Sequence, residues 1–169
     1  VTLTWNYRNA LAAGQWEGPE GGGLSKFGRQ VVAEMNRLGM LVDVSHLNEP
    51  SFWDVVQVSK DPVLASHSNA RALCDHPRNL TDEQIRAVAD RGGVVGVNFC
   101  PAFLRPDRRA SAEQVVEQIA YLINVGGQGC PALGSDFDGI DDVPGGLEHY
   151  GKLRSLEGLL RQKGFSTAV

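Results

Sequence analysis

The chain has 169 residues, 42% apolar and 21% charged, which is ordinary folded-protein composition and argues against disorder. A net charge of −4 with no clustered Arg or Lys gives no basic stripe for phosphates, so nucleic acid is excluded as an expected partner. Three distant cysteines, Cys74, Cys100 and Cys130, suit neither a disulfide framework nor a Cys-x-x-Cys metal site and fit a reducing, cytoplasmic setting. No apolar run approaches the roughly 20 residues that span a bilayer, and Val-Thr-Leu-Thr-Trp-Asn is not a signal peptide.

In chain order, residues 1–5 read as a strand end, and the glycine-rich stretch Gly18 to Gly23 as too flexible for regular structure. Ser25 caps a helix over 25–38 whose apolar stripe is Phe27, Val31, Met35 and Leu38, and Gly39 stops it. Leu41-Val-Asp-Val-Ser-His46 reads as a buried strand. A helix over 50–59 leads to a second strand, Pro62-Val-Leu-Ala-Ser-His67, with proline tolerated at its start. Thr81 and Gln84 form a capping box for a helix that runs to Arg91 and ends at Gly92-Gly93. Val94–Phe99 is a continuous apolar strand, 112–124 a helix, Pro131–Gly139 a strand ending in acid, and 155–163 a closing helix.

This alternation predicts an α/β fold. A doubly wound sheet would carry a glycine-rich phosphate turn after one of its strands, and none is present. The better reading is a parallel (β/α) barrel of TIM type represented by about five βα units, since a closed barrel takes eight strands. Residues 1–169 then form the C-terminal part of one barrel domain, with N-terminal strands and the extreme C-terminus outside it.

Polar residues at the C-terminal ends of parallel strands face the mouth of a barrel, so His46, His67 and Asp136 should converge. The repeated Ser-His at equivalent points of consecutive units raises metal ligation to parity with the reading as two structural histidines, and imidazole suits zinc. Strand alternation would send Asp136 and Asp138 to opposite sides, so only one faces a metal. For His76 a loop-capping, solvating role outweighs a functional one, for Arg78 both readings stay open, and His149 reads as a solvated loop residue. Cys74 and Cys100 read as apolar fillers, and Trp5, Trp16 and Trp53 as packing residues.

Taken in order, the segments Leu3-Thr-Trp-Asn6, Met35-Asn-Arg-Leu-Gly-Met40, Asp43-Val-Ser-His46, Ala65-Ser-His-Ser-Asn-Ala70, Pro77-Arg-Asn-Leu-Thr-Asp82 and Gly134-Ser-Asp-Phe-Asp-Gly139 resemble the membrane (renal-type) dipeptidases, bacterial branch. The resemblance implies zinc-dependent hydrolysis of dipeptides, with two Zn2+ ions per complete site and a metal-bound hydroxide attacking the peptide carbonyl. It places His46 and His67 on one zinc and Arg78 on the substrate's carboxylate. Asp136 falls beside the metals, in contact with the substrate's amino end or relaying a proton. Trp5 stands where many members have a substrate-contacting His, and the other zinc's His-x-Asp pair and the bridging Glu have no counterpart in these residues. The residues alone are therefore expected to show little peptidase activity and weak zinc binding. The expected partner is a small peptide, with no membrane span and association as a homodimer left open. Two alternatives remain: an amidohydrolase-like barrel acting on another amide or lactone, and a noncatalytic relative that has lost metal.

Overall fold

The structure, a computed structural model, describes residues 1–165. Residues 166–169, which the family resemblance places inside the final helical region, fall outside the described residues. Four short strands carry the architecture: β1 (Val42–Asp43), β2 (Val63–Leu64), β3 (Val95–Val97) and β4 (Pro131–Leu133). β1 pairs with β2, and β3 with β4, both in parallel. Single parallel bridges, Thr2 to Asp43 and Ala65 to Val95, extend the array at one end and join its two halves. The strands therefore lie side by side in chain order with no reversal, unlike a doubly wound sheet, and right-handed crossovers then place successive helices on the same side. Val42, Val63, Val95 and Val97 are fully buried, as both faces of a covered parallel sheet require. Among the described residues, no strand pairs with the outer edge of β4 or of the Thr2 segment.

The helices are α1 (Lys26–Arg37), α2 (Glu49–Val58), α3 (Asp82–Ala89), α4 (Pro101–Leu104), α5 (Ala112–Gly126) and α6 (Arg154–Gln162). Ser25 caps α1 by accepting from the Gly28 N–H, and Gly39 closes it at φ 69°. The predicted stripe needs correction: Gly28, Val32 and Met35 are buried, whereas Phe27 and Leu38 are each 56% exposed. The cause is Gly28, where an added Cβ would stand 2.1 Å from the Leu11 carbonyl oxygen, so the backbones touch and set the helix's rotation. The Thr81–Gln84 capping box forms as predicted.

Three other expectations change. The glycine-rich stretch contains a 3-10 turn, Pro19–Gly21, held by the Asn48 side chain, which donates to the carbonyls of Gly18 and Gly22 while capping α2. The helix α4, absent from the sequence reading, follows β3 directly. The strand predicted through Gly139 ends at Leu133, because Asp136 and Asp138 take φ values of 64° and 66°, which a strand cannot hold.

Candidate functional site

His46 and His67 leave the ends of β1 and β2, and the parallel register brings their rings together with Nε2 to Nε2 at 2.8 Å. The backbone of His46 is turned out of strand geometry, at φ 70°. Its carbonyl accepts from the Gln15 N–H and the Thr4 hydroxyl, which hold that turn. The opposite edge of each ring is oriented. His46 Nδ1 donates to Asn6 Oδ1 at 3.2 Å, an oxygen that also accepts from Gln15 Nε2. Ser66 Oγ donates to Asp43 Oδ2 at 2.5 Å and so accepts from His67 Nδ1 at 2.6 Å. Both protons are thereby placed on Nδ1, and two Nε2 lone pairs face one another. Such a pair repels unless a cation or proton lies between them.

Electrostatics reinforce the neutral state of both rings. Burial, with Arg78 and His67 adding to it, pushes the His46 pKa down to about 3, and burial and Arg78 lower that of His67. Neutral imidazoles whose far edges are oriented, His46 by the Asn6 amide oxygen and His67 through Ser66 by the Asp43 carboxylate, suit zinc, so the donor chemistry fits that metal. Among the described residues, no cluster of three or more His, Cys, Asp or Glu is arranged to hold an ion.

A cleft of about 610 Å³ opens beside this pair, lined by His46, Arg78, His76, Phe103, Asp136 and the two tryptophans Trp5 and Trp16 among others. Arg78 is 4% exposed and lies with its guanidinium carbon 5.6 Å from the centre of the Phe103 ring. It donates to the His67 carbonyl at 3.0 Å and to Ser68 Oγ at 3.5 Å, and no carboxylate among the described residues lies within ion-pairing distance. Burial brings its pKa down to about 10, partly offset by the charges of Asp136 and Asp43, so it remains a cation at neutral pH. A buried guanidinium with unused donors is a receptor for an anion, because leaving it unpaired costs several kcal/mol.

Asp136 reaches the same cleft from the loop after β4. Its Oδ2 accepts from Asn98 Nδ2 at 3.1 Å, and Asn98 is fully buried at the end of β3. Asp138 is exposed and does not line the cleft, so of the two acids Asp136 faces it, and a left-handed turn, not the expected strand alternation, separates them.

Several sequence assignments are corrected. Arg78, for which both readings stood open, is a buried residue of the cleft. His76 does cap its loop, accepting from the Arg78 N–H at 3.1 Å, yet its ring also lines the cleft. Trp5 and Trp16 are 72% and 51% exposed at the cleft rim and do not pack in the core. The Trp5–Asn6 backbone is pressed against Gly14, where a Cβ would meet the Asn6 carbonyl carbon at 2.5 Å, and no core space is left on that side. Trp53, 37% exposed, packs edge-on against Phe52. Cys74 is a buried filler, but Cys100 is half-buried and lines the cleft. His149 caps the 3-10 turn Tyr150–Lys152 at the surface.

Asn6, Asp43, Ser66, Asn98 and Phe103 are the residues that sequence reasoning did not assign. Asn6, Asp43 and Ser66 stood inside the quoted segments, and their offsets from the histidines were the available signal. For Phe103 there was none.

Fold and site together define an α/β protein whose imidazoles, guanidinium and carboxylate converge at the C-terminal ends of parallel strands. The chain belongs to the membrane dipeptidase family (peptidase family M19), whose model matches residues 1–169. It is 45% identical, over 98% of its length, to an uncharacterized protein from the pqqA 5′ region of Klebsiella pneumoniae, and 44% identical to an uncharacterized dipeptidase of Schizosaccharomyces pombe. A metallopeptidase from Rhodobacter sphaeroides, crystallised with a phosphinate mimic of the dipeptide L-Ala-D-Ala, superposes with a TM-score of 0.90 at 38% identity over 99% of this chain. The chain spans 64% and 41% of those two relatives and 50% of the solved chain.

Proposed function

We propose that this chain is the C-terminal part of a zinc-dependent dipeptidase built on a (β/α) barrel of TIM type, with His46 and His67 as ligands to one of two metal ions. Parallel strands in chain order with unpaired outer edges support the barrel, and the length of the relatives supports further strands and ligands outside these residues. Zinc, when bound, supplies Lewis acidity at the scissile carbonyl and lowers the pKa of a water nucleophile. Arg78 holds the substrate's free carboxylate, Trp5 flanks the substrate at the rim, and Asp136, steadied by Asn98, contacts the amino end or moves a proton. The Rhodobacter sphaeroides relative's dipeptide mimic makes a D-configured C-terminal residue a reasonable first substrate.

One observation carries this reading. A buried guanidinium without a carboxylate partner among the described residues shares a cleft with His46, whose Nε2 lone pair converges with that of His67, and it donates to the His67 carbonyl. An amidohydrolase acting on a neutral cyclic amide would have no use for that cation.

The test uses the full-length protein. His67→Ala should remove zinc from one of two sites by metal analysis and lower kcat by about 100-fold or more. A protein that holds no zinc, and whose dipeptide hydrolysis survives both chelation and His67→Ala, would refute the proposal.

A further inference from the structure

His76 is a polar side chain of the cleft to which the chemistry above assigns no role. Its Nδ1 accepts the Arg78 backbone N–H at 3.1 Å, and that bond has a consequence at the other end of the ring. A neutral imidazole whose Nδ1 accepts must carry its proton on Nε2. Burial, followed by the nearby charges of Arg78, Arg108 and Arg71, lowers its pKa, so the neutral form prevails at pH 7. Among the described residues, nothing accepts a hydrogen bond from Nε2; Nδ1 is the nitrogen in use.

The ring is held on two sides. Phe103 lies 4.4 Å away, centre to centre, at a 37° tilt, and Trp16 meets it edge-on at 6.2 Å. The guanidinium of Arg78 rests over the same Phe103 ring. Imidazole and guanidinium are thus anchored on one aromatic floor, and both line the same cleft. An anion seated on Arg78 lies in the neighbourhood of a second, neutral donor whose direction is preset, and a neutral donor adds no further charge to desolvate.

We propose that His76 is a substrate-binding residue, its Nε2–H donating to the free terminal carboxylate that Arg78 holds. The assignment rests on the dipeptidase reading and deepens it. It makes the carboxylate subsite a cation and a neutral donor over Phe103, selective for peptides with a free C-terminus over their amides.

The variant that isolates this role is His76→Asn in the full-length zinc-loaded protein. Asn Oδ1 can still accept the N–H two residues on, preserving the loop, while the shorter side chain withdraws the donor from the cleft. For L-Ala-D-Ala, KM should rise about tenfold or more with kcat within about twofold, which is the range for one hydrogen bond to a charged group. Hydrolysis of the corresponding dipeptide amide, already slow, should not change. Nitrogen NMR of the wild-type histidines should show His76 in the Nε2–H form, with that resonance shifting when a dipeptide phosphinate is added. A His76→Asn variant that matches wild type, or that loses activity equally on both substrates, or a wild-type Nδ1–H tautomer, overturns the role of His76 while the dipeptidase reading stands. A wild-type protein that neither binds nor cleaves the dipeptide overturns both.

Discussion

The two sides of the cleft reach it by different physical means. On the β1–β2 side, a buried carboxylate organises everything around it: Asp43 accepts from the Thr2 hydroxyl, the Ser45 N–H, the Ser66 N–H and the Ser66 hydroxyl, and through Ser66 it fixes the His67 ring. On the β4 side, Asp136 stands on a turn with positive φ and is steadied by the Asn98 side chain. The first side is preorganised, as the proposed ligand pair requires. The second rests on one side-chain contact, which suits the substrate-facing role proposed for Asp136. Backbone strain is common to both sides: among the described residues, three of the four non-glycine residues with positive φ, His46, Arg108 and Asp136, line the cleft.

Breaking the organised side should have the largest effect. Asp43→Ala leaves four donors without their acceptor, and urea unfolding should show a loss of about 3 kcal/mol or more, together with a 10- to 100-fold fall in zinc affinity. Asp43 also sets an acid limb. Burial alone would raise its pKa, but the hydrogen bonds from Ser66, Ser45 and Thr2 outweigh it and hold the carboxyl below its usual range. A folded-state pKa below the unfolded value of about 3.9 means stabilisation that is present above about pH 4 and lost as pH falls through the folded value. Asp43→Asn should therefore flatten that limb. A variant that unfolds in acid like wild type would show that another carboxylate dominates.

A smaller effect is expected from the other side. Asn98→Ala strips Asp136 of its Asn98 contact and the Cys100 N–H of its acceptor. It should cost about 1–3 kcal/mol and lower kcat roughly tenfold, with zinc affinity unchanged. A matching loss of zinc would mean that the two sides are coupled. The smallest effect belongs to Asp138, exposed at φ 66°. Asp138→Gly should relieve the left-handed backbone and change stability by less than about 1 kcal/mol in either direction, with activity intact. A tenfold drop in kcat would move the catalytic acid from Asp136 to Asp138.

Much of the fold was legible where chemistry is local. Ser25, Gly39 and the Thr81–Gln84 box depend on neighbours three or so residues away, and each appears where the spacing placed it. The Phe27–Leu38 stripe was misread because one glycine's contact with Leu11 outweighs helical periodicity, and a contact across 17 positions leaves no mark in a local pattern. Helix α4 was missed for a related reason: four residues are too few to show a period.

For the site, the sequence by itself determined that a strand precedes each of Ser45-His46, Ser66-His67 and Ser135-Asp136, because buried apolar runs that lead into polar pairs announce themselves, although the strands stop short of those pairs. It therefore determined that His46, His67 and Asp136 would share one end of a parallel array. Only the tertiary structure decided how they meet: the 2.8 Å approach of the two rings, the tethers through Asn6 and Asp43, the burial of Arg78 and the turn of His76 into the cleft. Those outcomes depend on the register between strands and on crossovers of roughly 20 residues or more, and hydrogen-bond partners chosen across such distances are fixed by packing and not by spacing along the chain.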